Sequence, residues 1–246
     1  MRDGDDYVVN GQKIWTSGAH NAHWMLLLAR TNTDAPKHKG LSYFVLDMKT
    51  PGVTVRPIAT MVGTSEFNEV FFDNARVPKE NMLGEENRGW YIATTTLDLE
   101  RSGISTSVTL VLHVRDLIAF VRQHAVSPQC SIGQRPSLRY EIAERAVEAE
   151  VARLMSYQVV SMQNAGLIPN KEASVAKLYT SELDQRISAT WMKVLGLYGQ
   201  WREHRAPVGG IVPRRLLLNV ASTIGGGTSE IMRNIIAQRG LGLPRE

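Results

Sequence analysis

The chain has 246 residues, 43% of them hydrophobic and 21% charged, enough length and apolar content to bury one large core or two smaller ones. A net charge of +4 favours an anionic small-molecule ligand only weakly, and no basic stretch carries interleaved aromatics, so nucleic acid is not indicated as a partner. The single cysteine, Cys130, excludes an internal disulfide and points to a reducing, cytoplasmic setting; no apolar run reaches the roughly 20 residues of a membrane span, and the polar start from Arg2 to Asp6 lacks a signal-peptide core.

Up to about residue 80 short apolar runs alternate with turn residues. Tyr7-Val8-Val9 leads into Asn10-Gly11, a strong hairpin-turn pair, followed by Gln12-Lys13-Ile14-Trp15. The runs Trp24 to Arg30, Leu41 to Leu46, Val53 to Val55 and Glu69 to Phe72 predict further strands, with Pro51-Gly52 as a turn and Val77-Pro78 as the exit. Strands this short and this evenly spaced predict a small antiparallel barrel or sandwich.

From Trp90 onward the pattern is helical. Tyr91 to His124 reads as one long helix, Ser137 to Ala165 as a second closed by Gly166 and Pro169, and Lys171 to Leu197 as a third. Arg214 to Ile224 and Ser229 to Arg239 predict two shorter ones. Ile142, Val147, Val151, Leu154 and Val159 recur at three- to five-residue steps, as one buried face of the second helix would. The fold class is therefore α+β: a middle β domain over residues 1–80, then an up-down helical bundle over residues 86–246.

Two places could carry chemistry. Ile224-Gly225-Gly226-Gly227-Thr228-Ser229-Glu230 brings three glycines to a Thr/Ser-capped helix start, which suits a phosphate or a polar cofactor edge and equally an ordinary flexible helix entry. Leu97-Asp98-Leu99-Glu100-Arg101 sets two acids and an arginine in an apolar helix, either as a solvated group or as a base beside its own arginine. The six histidines include no metal-ligand spacing, His20 and His23 fall in a surface turn, and Cys130 has no activating neighbours.

Read together, these segments resemble the acyl-CoA dehydrogenases. Asn10 to Gly18 is similar to that family's NGxKxW segment of the middle β domain, and Thr50-Pro51-Gly52 to its TPG turn. Phe71 to Pro78 followed by Asn81-Met82-Leu83-Gly84 resembles its exit into the helices, and Gly227-Thr228-Ser229-Glu230-Ile231 with Arg233 its carboxy-terminal GTSxIxR. The resemblance implies a bound FAD and an acyl-CoA substrate: a glutamate removes the α-proton of the thioester and the β-hydride passes to the flavin. It implies flavin contacts for Trp15, Thr16 and Ser17, and cofactor contacts for Gly196, Gly226, Gly227, Thr228 and Glu230.

Most members carry the base just before GTS, where this chain has Gly226. In the isovaleryl- and long-chain-like branches it lies instead in the helix opening the α domain, directly before an arginine. Glu100-Arg101 matches that pattern, which makes Glu100 the catalytic base, with Arg101 beneath it and Asp98 toward the CoA. The family's RxxFG stretch falls at Gln129 to Gly133, where only Gly133 agrees, and Lys193 stands where a glutamine is usual. Those contacts normally come from a neighbouring subunit, so a homo- or hetero-oligomer is implied, with an electron-transfer flavoprotein as acceptor. The family's amino-terminal helical domain is not matched ahead of Tyr7, which implies an amino-terminally truncated arrangement. A non-catalytic fragment or sister subunit, and an oxidase or monooxygenase of the same superfamily, are the alternatives.

Overall fold

A computed structural model describes residues 2–100, 103–124, 130 and 135–244, apart from the side chains of Asp98, Leu99 and Glu100. Two compact units, Met1–Leu97 and Asp98–Glu246, divide the chain.

The first unit holds seven strands: β1 (Arg2–Asp3), β2 (Asp6–Lys13), β3 (Trp24–Arg30), β4 (Leu41–Asp47), β5 (Val53–Ile58), β6 (Phe67–Pro78) and β7 (Met82–Leu83). They form two antiparallel sheets, ordered β1-β2-β6-β5 and β3-β4-β7. Tyr7, Val70, Phe72 and Val77 from the first sheet meet Leu27, Phe44 and Leu46 from the second in one buried cluster. Alternation along each strand supplies these inward residues, as a sandwich requires.

The expected hairpin at Asn10-Gly11 is not there. Both residues lie inside β2, where pairing shifts between Val9↔Ala75 and Gly11↔Phe72 so that Asp73 and Asn74 oppose Asn10 alone. This is a β-bulge carried by β6. Asn74 takes a left-handed φ of 51°, donates its N–H to Asn10 Oδ1 at 2.8 Å, and accepts from Asn10 Nδ2 at 3.2 Å. A residue pair suited to a turn is thus used to seat a bulge. The Pro51-Gly52 turn does form: the Val53 N–H reaches the Thr50 carbonyl at 3.1 Å. Gly52 has φ 89°, the value a type II turn needs at that position, and a Cβ there would collide with the Asp73 carbonyl.

Where the chain leaves the sheets, the buried Ser42 hydroxyl contacts Thr31 Oγ1 at 2.7 Å and accepts the Asn87 N–H at 2.8 Å. Helix α1 (Gly89–Glu100) begins two residues later, and the His38 ring stacks on Trp90 at 4.4 Å between centroids.

The single helix expected over Tyr91 to His124 is two. Gly103, at φ 64°, precedes a separate α2 (Ile104–His124). By length and composition α2 would be able to cross a membrane, contrary to the expectation that no run qualifies. Its Leu110, Val111, Val114, Leu117 and Phe120 lie in the bundle core, while Val108 and Leu112 on the same helix are exposed. Helices α3 (Leu138–Asn164) and α4 (Asn170–Leu195) complete the bundle, followed by α5 (Ile211–Leu218) and α6 (Ser229–Ile235). Gly166, at φ 75°, ends α3: its N–H bonds the Gln163 carbonyl while the Leu167 N–H bonds that of Met162, each at 3.0 Å.

The buried face of α3 differs from the one expected. Ile142 and Val159 are buried, but Val147 and Leu154 are 65% and 59% exposed. A five-residue step turns a helix through about 140° past one full turn, so 147 and 154 point away from 142. The inward row is Leu138, Ile142, Arg145, Ala149, Ala152, Ser156 and Val159. Its small middle residues let α4 approach closely.

Candidate active site

In the first unit, residues 14–18 leave the end of β2 and form a ledge. Trp15 has φ 62°, a conformation bulky side chains avoid, yet its side chain is 63% exposed and meets Phe67 edge-on at 6.2 Å. Thr16 is clamped from both sides by one residue of β6. Its N–H donates to the Asn68 backbone carbonyl at 3.0 Å, and its carbonyl accepts from Asn68 Nδ2 at 2.9 Å. The Gly18 N–H bonds the Glu66 carbonyl at 2.8 Å, and Ser17 is left exposed between these anchors. The ledge therefore presents an aromatic face and a hydroxyl on a rigid backbone.

In the second unit, the glycine-rich turn feeds α6. Gly226 and Gly227 take φ of 68° and 108°, and Thr228 Oγ1 caps the helix by accepting the Ile231 N–H at 3.2 Å. Hydrogen bonds from its own backbone N–H and then from the Thr228 hydroxyl hold the Glu230 carboxyl below the usual carboxylate range. The turn is fixed to α4: Lys177 Nζ donates to the Ser222 carbonyl at 3.1 Å, and Gln185 Nε2 to the Asn219 carbonyl at 2.9 Å. Beside it lies an open cleft of about 600 Å³ whose walls include Glu182, Gln185, Thr223, Thr228, Ser229 and Arg233. The buried Ser229 Oγ has no hydrogen-bond partner among the described residues, a polar group that a ligand atom would satisfy.

Residues 1–75 match the acyl-CoA dehydrogenase middle domain, and residues 87–241 the acyl-CoA dehydrogenase C-terminal domain. The chain belongs to the acyl-CoA dehydrogenase family. It is 37% identical over 246 residues to the acyl-CoA dehydrogenase IpdE1 of Mycobacterium tuberculosis, a match covering 99% of this chain and 61% of that protein. Among solved structures, the Tcur3481-Tcur3483 steroid ACAD superposes with a TM-score of 0.89 at 31% identity, over 100% of this chain and 63% of that one. The ChsE4-ChsE5 complex from Mycobacterium tuberculosis superposes with a TM-score of 0.83 at 33% identity, over 100% and 64%. The chain thus spans about three-fifths of the length of these relatives.

Of the site residues that the family resemblance implies, Trp15, Thr16 and Ser17 sit together on the ledge, and Gly226, Gly227, Thr228 and Glu230 sit together in the turn before α6 and its first residues. Gly196 instead ends α4 at φ 55° and is not among the residues lining the cleft. The α1 backbone runs through Asp98 and Glu100, but their side chains, and all of Arg101, Gln129 and Gly133, lie outside the described residues. Lys193, where the family usually has a glutamine, donates to both Glu141 oxygens at 2.9 and 3.1 Å. Burial alone would raise the Glu141 carboxyl; the bonds from Lys193 and Thr190 outweigh it and hold the group below its ordinary value.

Two features went unread in the sequence. One is Asn68 itself, fully buried in a strand otherwise rich in Val and Phe. Asparagine is depleted in strands, so its presence there was the available signal. The other is a cavity of about 410 Å³ in the bundle, walled by Phe120, Trp191, Val208 and Val212 with His113 and Arg215 among its polar lining. Arg215 donates from Nε and Nη2 to Asp184 Oδ1 at 3.2 and 2.6 Å, and its Nη1 meets His113 Nε2. A guanidinium only donates, so His113 Nε2 accepts and the ring proton sits on Nδ1. Burial first, and Arg215 second, push the His113 imidazole below its ordinary value.

Proposed function

We propose that this protein is an FAD-dependent acyl-CoA dehydrogenase that desaturates an acyl-CoA thioester between Cα and Cβ, with Glu100 as the base. The observation that carries the proposal is that the family match runs through both compact units in order, over residues 1–75 and 87–241. The strained, exposed Trp15 ledge and the orphan Ser229 hydroxyl beside the glycine turn fit a planar ring and a polar nucleotide edge.

FAD, when bound, supplies the two-electron acceptor for the β-hydride. The chain's own residues do the rest. Glu100, near the end of α1, takes the α-proton; Gly226, at the more common position of the base, has no carboxylate to offer. The family resemblance assigns Arg101 to the support of Glu100 and Asp98 to the CoA moiety. Trp15 covers the ring and keeps water from it, while Thr16 and Ser17 orient it; the turn from Gly226 to Glu230 positions the nucleotide portion. Gly196 contributes backbone approach at the end of α4. The names of the ChsE4-ChsE5 and Tcur3481-Tcur3483 relatives each join two components, and this supports assembly of the present chain into an oligomer with a like or sister chain. An electron-transfer flavoprotein is the proposed acceptor.

The test is anaerobic titration of the FAD-loaded protein with a panel of acyl-CoAs of differing length and branching. Bleaching of the flavin band by at least one of them is expected. Persistence of the oxidised band with every one of them would contradict the assignment.

A further inference from the structure

Trp15 poses a question that the core of its unit does not answer. A bulky residue at φ 62° is strained and persists only where surrounding structure over-determines it. Its side chain is 63% exposed, so its own burial does not hold it. What holds it is the residue that follows. Thr16 has both backbone groups occupied by Asn68, at 3.0 Å through the Asn68 main chain and 2.9 Å through its side chain.

Asn68 is itself over-determined. It is completely buried on β6, opposite Pro57 of β5. Its Oδ1 lies 3.1 Å from His20 Nδ1, on the short helical turn Ala19–Asn21. An amide oxygen only accepts, so His20 carries its proton on Nδ1 and donates. The Thr16 carbonyl can only accept, so it fixes the amide with Nδ2 toward itself and Oδ1 toward His20, whose Nδ1–H holds that second end. The contacts run in a chain: His20 holds one end of the Asn68 amide, Asn68 holds both backbone groups of Thr16, and Thr16 anchors the chain next to Trp15.

We propose that Asn68, held at its amide oxygen by His20, is the positioning residue that holds Trp15, Thr16 and Ser17 in the conformation that receives the flavin ring. The proposal rests on the reading of that ledge as flavin-facing and adds to it two residues outside the ledge. Asn68 touches no reacting atom; it acts through the backbone of Thr16.

Asn68→Asp is the sharpest probe. It keeps the size and the acceptor for His20, and it sets an oxygen against the Thr16 carbonyl in place of the donor. His20→Ala is the milder second variant, removing an exposed ring while leaving Asn68 in place. Two quantities are measured on the full chain: amide hydrogen exchange without flavin, and FAD affinity with the visible spectrum of the complex. For N68D, the Thr16 amide is expected to exchange roughly tenfold faster or more, with Val70 and Phe72 of the same strand within about twofold. FAD affinity is expected to fall roughly tenfold or more, and the flavin band of the remaining complex to move toward that of free FAD. For H20A the same changes are expected at about twofold to fivefold.

Unchanged Thr16 protection would overturn the proposal. So would a loosened Thr16 with unaltered affinity and spectrum, or faster exchange spread evenly over β2 and β6, which would make Asn68 a merely structural residue. A wild-type chain that takes up no FAD would overturn the flavin-facing reading and this proposal with it. A wild type that binds FAD beside an N68D variant that binds equally well overturns this proposal alone.

Discussion

Trp15 is the residue at which backbone conformation and the proposed flavin contact are most visibly in tension. Glycine would occupy its left-handed backbone without strain, and the exposed indole contributes little to the core. Trp15→Gly is therefore expected to leave folding stability within about 1 kcal/mol of wild type, relief of strain being offset by the entropy of the added glycine. FAD affinity should drop by roughly tenfold in the same variant, since an aromatic contact of about 1 kcal/mol or more is lost. Chemical denaturation and FAD titration check the two halves; a large loss of stability would make Trp15 structural. In the second unit, Thr228→Ala removes the cap of α6 and is expected to cost about 1 kcal/mol in the same denaturation assay. Trp15 and Thr228 were legible because their motifs are contiguous in sequence. Asn68 was not: it lies more than fifty residues from the Thr16 it clamps, and only strand pairing brings them together.

Secondary-structure elements were read well where a local rule governs them and poorly where packing does. Gly166 and Pro169 close α3 as their chemistry demands, and the Pro51-Gly52 turn forms where expected. Asn10-Gly11 carries the same local signal as a hairpin, but β6 runs alongside β2 on both sides of the pair, and continued pairing wins. On α3, hydrophobicity alone placed Val147 and Leu154 inside; the close approach of α4 instead favours Ala149, Ala152 and Ser156, which side-chain volume rather than polarity explains. The Asp184–Arg215 pair ties α5 to α4 and is partly withdrawn from water on both sides. Breaking it with Asp184→Ala leaves a charge uncompensated and is expected to cost about 3 kcal/mol in denaturation experiments. His113, next to that pair, gives a pH dependence. Its folded value lies below the ordinary 6.5, so the unfolded chain binds the proton more readily. Its contribution to stability is full above about pH 6.5 and is lost as pH falls through and below that value. His113→Gln should flatten this segment of the stability-versus-pH curve.

For the whole molecule, two units have separate cores, one with an exposed aromatic ledge on its sheets and the other with a capped glycine turn on its bundle. The α+β architecture followed directly from the change of period near residue 80, alternation before it and helical spacing after it. The family followed from four motifs in the right order, and the matches over residues 1–75 and 87–241 bear it out. The chemistry assigned to Glu100 rests on its place before Arg101 in the helix that opens the second domain. The most direct test is rapid anaerobic mixing of acyl-CoA with FAD-loaded wild type and Glu100→Gln, following the flavin band. The account predicts that Glu100→Gln binds FAD as wild type does but is reduced at least about a thousandfold more slowly, the loss expected for removing an essential base. Reduction of both proteins at the same rate would contradict it.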